Sequence, residues 1–443
     1  MMRILELYPL FLPYQLILFY LYMKLSIFNT PVRLFLFLML TFTQVITSCT
    51  STTSTDNTIQ PGIWRVVLQA QGQEIPFLME AATEDNKTML YLINGEERIL
   101  LDSIQQQNDS LKIGLHIFDA DLIAKVNGHQ MVGRFVKNDT KMPYSVPFTA
   151  AHGQSNRFAT NPAEATYNFD GSWQVEFDEG DGSTYDAVGI FKQNGNEVTG
   201  TFLTETGDYR YLNGQVEGNQ LKLSTFDGNH AFLFTATPAY DSTLQGEFYS
   251  GMSGHETWTA RRDANARLAD ADSLTFLKEG YDALSFTFPN LQGEKVSLSD
   301  PKYKDKVVLV QLMGSWCPNC MDETNFLAPY YDKNKDRGLE IIGLGFERSP
   351  EFDKAAARIS KMQDRFDINY DLLVAGISDN EAAAKALPAL NHVMSFPTTI
   401  FIGRDGKVRK IHTGFSGPGT GKYYEDWVAE FNKTMDELLE EKA

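Results

Sequence analysis

Cysteine is scarce in this chain, three among 443 residues, and two of the three sit in "GSWCPNCMDE", residues 314–323. A Cys-x-x-Cys pair serves dithiol redox chemistry, half of a zinc site, or a static disulfide. Structural zinc takes four ligands. No second Cys-x-x-Cys and no Cys/His pair accompanies Cys317 and Cys320, and the seven histidines are scattered, so no metal site is expected. A disulfide across so short a loop removes little chain entropy, which makes stability a poor reason for it. Covalent haem attachment would need His after the second cysteine, where Met321 stands. Dithiol–disulfide exchange remains, with the pair itself carrying the electrons and no other cofactor.

The neighbouring elements suit that chemistry. "KVVLVQLMG" (306–314) reads as a buried strand that ends at the pair. Pro318 fits the first helical position, where its missing N–H costs nothing and its φ is already helical. Cys317 then faces free backbone N–H groups and the positive end of a helix dipole, which favour thiolate. Cys320 follows one turn on, within disulfide reach, so Cys317 takes the attacking role and Cys320 the resolving role. Further strands are expected at 339–347, 370–376, 398–403 and 407–415. Helices are expected from Pro318 to about Asp336, Pro350 to Phe366, Asn380 to Leu387 and Tyr423 to Glu441. This alternation predicts an α/β domain over 281–443, a central mixed sheet with helices on both faces.

Trp316-Cys317-Pro318-Asn319-Cys320, the strand before it, Glu323, and "MSFPTTIFIGRDGKV" (394–408) together resemble the TlpA/ResA-like thioredoxin-fold thiol:disulfide oxidoreductases. The resemblance covers the C-terminal third. It implies a cis Pro397 beside the disulfide, with Trp316, Pro318 and Phe396 touching an extended substrate chain. It also implies a membrane-tethered reductase whose oxidised pair is reset by an upstream membrane thiol donor. Glu323 matches the family's acidic residue near the cysteines. Two readings of it stand: proton transfer at the resolving thiol, or a first-turn glutamate favoured by the helix dipole. The sequence departs from the family in three places. Cys-Pro-Asn-Cys replaces the usual Cys-x-Pro-Cys, Phe396 is bulkier than the usual aliphatic residue, and Gln311 stands where thioredoxin has a buried aspartate. That proton acceptor is therefore expected to be missing.

From 61 to 262 the chain reads as antiparallel β, with short alternating runs split by turns such as "QNGN" (193–196) and "FDGN" (226–229). It looks duplicated. "GIWRVVL" (62–68) parallels "GSWQVEF" (171–177), "LKIGL" (111–115) parallels "LKLST" (221–225), and "MVGRFV" (131–136) parallels "LQGEFY" (244–249). Two all-β antiparallel barrel or sandwich units are expected, at 61–152 and 166–262, with Trp64 and Trp173 at equivalent core positions. Residues 150–165 read as a linker between them, and the Ala/Asp-rich stretch 263–280 as a connecting helix.

At the N-terminus, residues 34–42, "LFLFLMLTF", have signal-peptide length, too short to span a bilayer. Ile46-Thr-Ser-Cys49 resembles a bacterial lipobox, which implies cleavage of residues 1–48 and a lipid on Cys49. Residues 49–60 then form a Ser/Thr-rich tether. Met23-Lys24 reads as an alternative start. With Cys49 acylated, no stray thiol would compete with the working pair outside the cytoplasm.

The net charge of −18, with no basic patch, argues against nucleic-acid binding. Three functions stay in view: an envelope disulfide reductase, a binding lipoprotein carrying an accessory redox domain, and a thiol peroxidase. The last fits poorly, because the peroxidatic pattern wants Thr/Ser and Pro where Gly314 and Val310 stand.

Overall fold

The computed structural model describes residues 58–240 and 242–442. The expected signal segment, the lipobox with Cys49 and most of the tether lie outside the described residues. Among the described residues no helix is long and apolar enough to cross a membrane.

Two nine-stranded antiparallel sheets come first. One runs from Gly62–Ala70 to Tyr144–His152 and the other from Gly171–Asp178 to Gly254–Arg262. Alternation drives both. In the strand 171–178, Trp173, Val175 and Phe177 are buried while Glu176 and Asp178 point to water. The second sheet closes into a barrel, because Thr184–Asn194 pairs with Glu197–Thr204. Its interior is filled by rings, with Phe234 stacked on Phe248 at 4.3 Å, so it is a packed core. Trp64 and Trp173 are fully buried, and each indole N–H donates to the carbonyl four residues earlier, of Gln60 and Phe169, at 2.9 Å.

Three expectations need correction. The first sheet is not a closed unit. It ends on the consecutive strands Glu97–Leu100 and Ile104–Gln107, which do not pair. Arg365 takes the Leu100 carbonyl at 2.9 Å and Lys361 takes Asp102 at 3.1 Å, so another part of the chain occupies that gap.

The linker 150–165 is not loose. Arg157 is fully buried and donates to the carbonyls of Ile93 (2.6 Å), Pro76 (3.3 Å) and Ser224 (3.2 Å), riveting one sheet to the other. Burial lowers its pKa to about 9.

The helix expected over 263–280 is a single turn, Ala271–Leu274. Asp263 and Asp270 bond the amides two residues on, which favours turns over helix.

The C-terminal region is a five-stranded sheet: β1 Val307–Met313, β2 Leu339–Glu347, β3 Asp371–Ile377, β4 Thr398–Ile402 and β5 Val408–Thr413. Its spatial order is β3-β2-β1-β4-β5, with β1, β2 and β3 parallel and β4 antiparallel to β1. Four helices accompany it: α1 Pro318–Asn334, α2 Phe352–Phe366, α3 Asn380–Ala386 and α4 Lys422–Glu440. Strand–helix alternation with an antiparallel end is the thioredoxin-like arrangement expected from the sequence. Helix α2 docks on the first sheet through Arg358–Asp119 and Lys361–Asp102, and one hydrophobic core runs from that sheet into the region around α1.

Replacing Arg157 by Ala should destabilise the fold by about 3 kcal/mol, because it removes the buried donor that ties Ile93 and Pro76 of one sheet to Ser224 of the other, and Lys should not restore it. Urea unfolding measures this. A loss within about 0.5 kcal/mol would show that the rivet is dispensable.

Candidate active site

Strand β1 is buried along its whole length, so it ends at a fixed place, and the four residues 314–317 separate it from α1. Cys317 is the N-cap of α1 and Pro318 its first residue. The Cys320 amide donates to the Cys317 sulfur at 3.2 Å, and the Cys317 thiol reaches the Phe396 carbonyl at 3.4 Å. The Phe396–Pro397 peptide is cis. The structure therefore brings the Cys317–Cys320 pair together with the Phe396–Pro397 peptide, with Cys317 and Phe396 79 residues apart in sequence. Both thiols are free. Cys317 is 6% exposed and Cys320 has no exposure. Burial raises the Cys320 thiol well above its ordinary range, and the adjacent Cys317 and the Glu323 charge push the same way.

Glu323 is not a surface glutamate of the first turn. It is fully buried under α1, accepting from Gln311 of β1 at 2.7 Å and from Thr399 of β4 at 2.8 Å. Burial raises its pKa, against the pull of those two donors. No carboxylate stands at position 311, as the sequence indicates, and Gln311 instead donates to the buried carboxylate that Glu323 brings from the helix. Trp316 donates from its indole to the Phe346 carbonyl at 2.8 Å and meets Phe396 edge-on at 5.9 Å.

Sequence reasoning missed two sets of residues. Glu347, at the end of β2, accepts from the Ser315 amide and hydroxyl, both at 2.8 Å, and burial pushes its pKa up to about 6. It anchors the turn just before the pair. The second set comes from the β region. The Arg210 guanidinium donates to the Pro318 carbonyl at 3.0 Å and pairs with Asp322 and with Glu97 of the first sheet. Asn319, between the two cysteines, donates to the Asp208 carbonyl at 3.2 Å, and Asn229 donates to the Trp316 carbonyl at 2.8 Å. No local sequence signal marks these residues.

The comparisons with known proteins bear on the same region. Residues 280–411 match the family model described as AhpC/TSA family. The thiol-disulfide oxidoreductase ResA of Bacillus subtilis is 29% identical over 150 residues, covering 34% of this chain and 74% of that protein. The thioredoxin-like protein YneN of the same organism is 28% identical over 138 residues, covering 31% and 73%. Over this region the chain is similar to thioredoxin-like thiol-disulfide oxidoreductases of the ResA kind. Solved structures similar to this chain include a thiol:disulfide interchange protein from Chlorobium tepidum TLS, with 17% identity and a TM-score of 0.28, covering 37% of this chain and 98% of that one. Another is a thiol-disulfide oxidoreductase from Bacteroides fragilis NCTC 9343, with 23% identity and a TM-score of 0.25, covering 33% and 99%.

Changing Glu323 to Gln removes a buried negative charge beside Cys320, so Cys320 should ionise at lower pH than in the parent protein. Ultraviolet thiolate absorbance followed against pH, in a Cys317→Ala background, reads this shift. An unchanged or higher titration point would separate Glu323 from the thiol.

Proposed function

We propose that the protein is a lipid-anchored, extracytoplasmic disulfide reductase acting on disulfide-bearing envelope proteins. The observation that carries the mechanism is the asymmetry of the pair: one sulfur at a helix N-terminus facing a cleft, the other sealed behind it. Cys317 thiolate attacks a substrate disulfide, forming a mixed disulfide and releasing one substrate thiolate. Cys320 then attacks the Cys317 sulfur, closing the Cys317–Cys320 disulfide and releasing the second thiolate. Two electrons pass from the dithiol to the substrate, and the two released thiolates end as thiols. Glu323 is the buried carboxylate suited to take the Cys320 proton during resolution. Trp316, Pro318 and Phe396 line the approach to Cys317, and the Phe396-Pro397 backbone is suited to hold an extended substrate.

The burial of Cys320 behind Cys317 supports the reducing direction of flow. A buried thiol with a raised pKa gives the reduced pair no thiolate stabilisation there, which favours electron donation over oxidation. A dithiol donor at the membrane would reset the pair. The lipobox at Cys49 supports anchoring, and the small number of thiols supports an oxidising compartment. The two β sheets, with their matching strand order and matching buried tryptophans, fit diverged copies of one unit that has become part of the redox site. A peroxidase reading is weaker, since Gly314 and Val310 occupy the positions where that chemistry wants Thr/Ser and Pro.

Cys320→Ala should accumulate mixed disulfides on Cys317, and a Cys317→Ala chain should accumulate none. Non-reducing gels with mass spectrometry of the adducts read this outcome. Equal adduct levels in the two variants would overturn the reading.

A further inference from the structure

The second barrel does more than sit beside the redox domain. Its segment Thr204–Arg210 and its turn Asp227–His230 bracket the cysteine pair on two sides. On one side the Thr206 carbonyl accepts from the Ser395 hydroxyl at 2.7 Å, one residue before Phe396. The Asp208 carbonyl accepts from Asn319, and the Asp208 carboxylate accepts from the Gly417 amide at 2.6 Å. Contact here is close: a methyl group at Gly207, at φ +145°, would push aside the side-chain amide of Asn319. On the other side Asn229 holds the Trp316 carbonyl. That turn is itself fixed, because Asp227 accepts from the amides of Asn229 (2.8 Å) and His230 (2.6 Å) and from the His230 ring at 3.1 Å.

What remains open above Cys317 is a cleft of about 360 Å³, walled by Thr206, His230 and Tyr209 from the barrel and by Trp316, Asn319 and Phe396 from the redox domain. For exchange, a substrate sulfur must come within about 3–3.5 Å of the attacking sulfur. A substrate disulfide that reaches Cys317 must therefore pass between side chains of the barrel and side chains of the redox domain.

Resting on the reductase reading above, we infer that the second barrel is the specificity wall of the active site. It admits disulfides carried on a slender, flexible frame and excludes those set in a folded surface. The reaction is otherwise unchanged: two electrons leave the dithiol, the substrate disulfide becomes two thiols, and Cys317–Cys320 closes. Thr206 and His230 are the residues that set the width.

The test uses the full chain, reduced beforehand, against three probes: glutathione disulfide, a short linear peptide closed by one disulfide, and native insulin. Stopped-flow tryptophan fluorescence or thiol release gives the rate constants. Glutathione disulfide and the peptide should each react about tenfold or more faster than insulin. Glutathione disulfide alone reacting fast would narrow the frame to small molecules, and fast peptide reaction would extend it to unfolded chain segments. His230→Ala should raise the insulin rate relative to the peptide. Thr206→Trp should lower the peptide rate about tenfold while costing glutathione disulfide less. Circular dichroism and urea unfolding establish that each variant is folded. Insulin reacting as fast as the peptide, or variants that scale all three rates equally, would overturn the wall. No reaction with any probe, while Cys317 still alkylates, would instead overturn the reductase reading.

Discussion

One buried guanidinium holds the three parts of this chain in register. Arg210 leaves the second barrel, pairs with Glu97 on the first sheet, and pairs with Asp322 and the Pro318 carbonyl at the start of α1. It is 4% exposed. Burial alone would lower its pKa, but Asp322, Glu97, Asp227 and Asp208 outweigh that and hold it well above its ordinary range. A charge so far from water is tolerated only with its partners in place, and removing one partner of such a set costs about 3–5 kcal/mol. The cluster therefore specifies position: the open first sheet, the closed barrel and the redox helix must meet at this point or leave a charge unpaired. The Pro318 carbonyl lies between the two cysteines, so the same bond that joins the domains also fixes the redox turn.

The asymmetry of the cysteines follows from that frame. Helix α1 starts where β1 ends, which places Cys317 at the mouth and Cys320 behind it. Gln311 and Thr399, from neighbouring strands, hold Glu323 beneath the helix. A carboxylate in that position has its pKa raised by desolvation, the property that the proposed proton acceptor calls for. The β region closes the remaining side.

Much of the redox domain was legible in the sequence because its signals are local. Pro318 marks a helix start, Val307 to Met313 read as a buried strand, and the observed helices begin within two residues of the expected positions. What escaped was non-local or compositionally ordinary. Arg210 and Pro318 are 108 residues apart, and nothing near Arg210 suggests a partner there. Arg157 lies in a stretch whose Gly, Ser and Asn content suggests a linker, yet it is the buried rivet between sheets. Glu323 looked the same whether it faced water or the core, since one helical turn separates it from Cys320 either way. The Ala/Asp-rich stretch 263–280 has helical composition, but its aspartates spend their oxygens on nearby amides. The first sheet stays open for a reason supplied by α2, an element more than 250 residues further along.

The central claim is that Cys317 and Cys320 cycle together as one two-electron couple. Equilibrating the full chain in dithiothreitol buffers of graded potential, then trapping free thiols and counting them by mass, tests it directly. The account predicts that both thiols vanish and return together along a single reversible two-electron curve. Thiols that disappear one at a time, or a pair that stays reduced in every buffer, would contradict it.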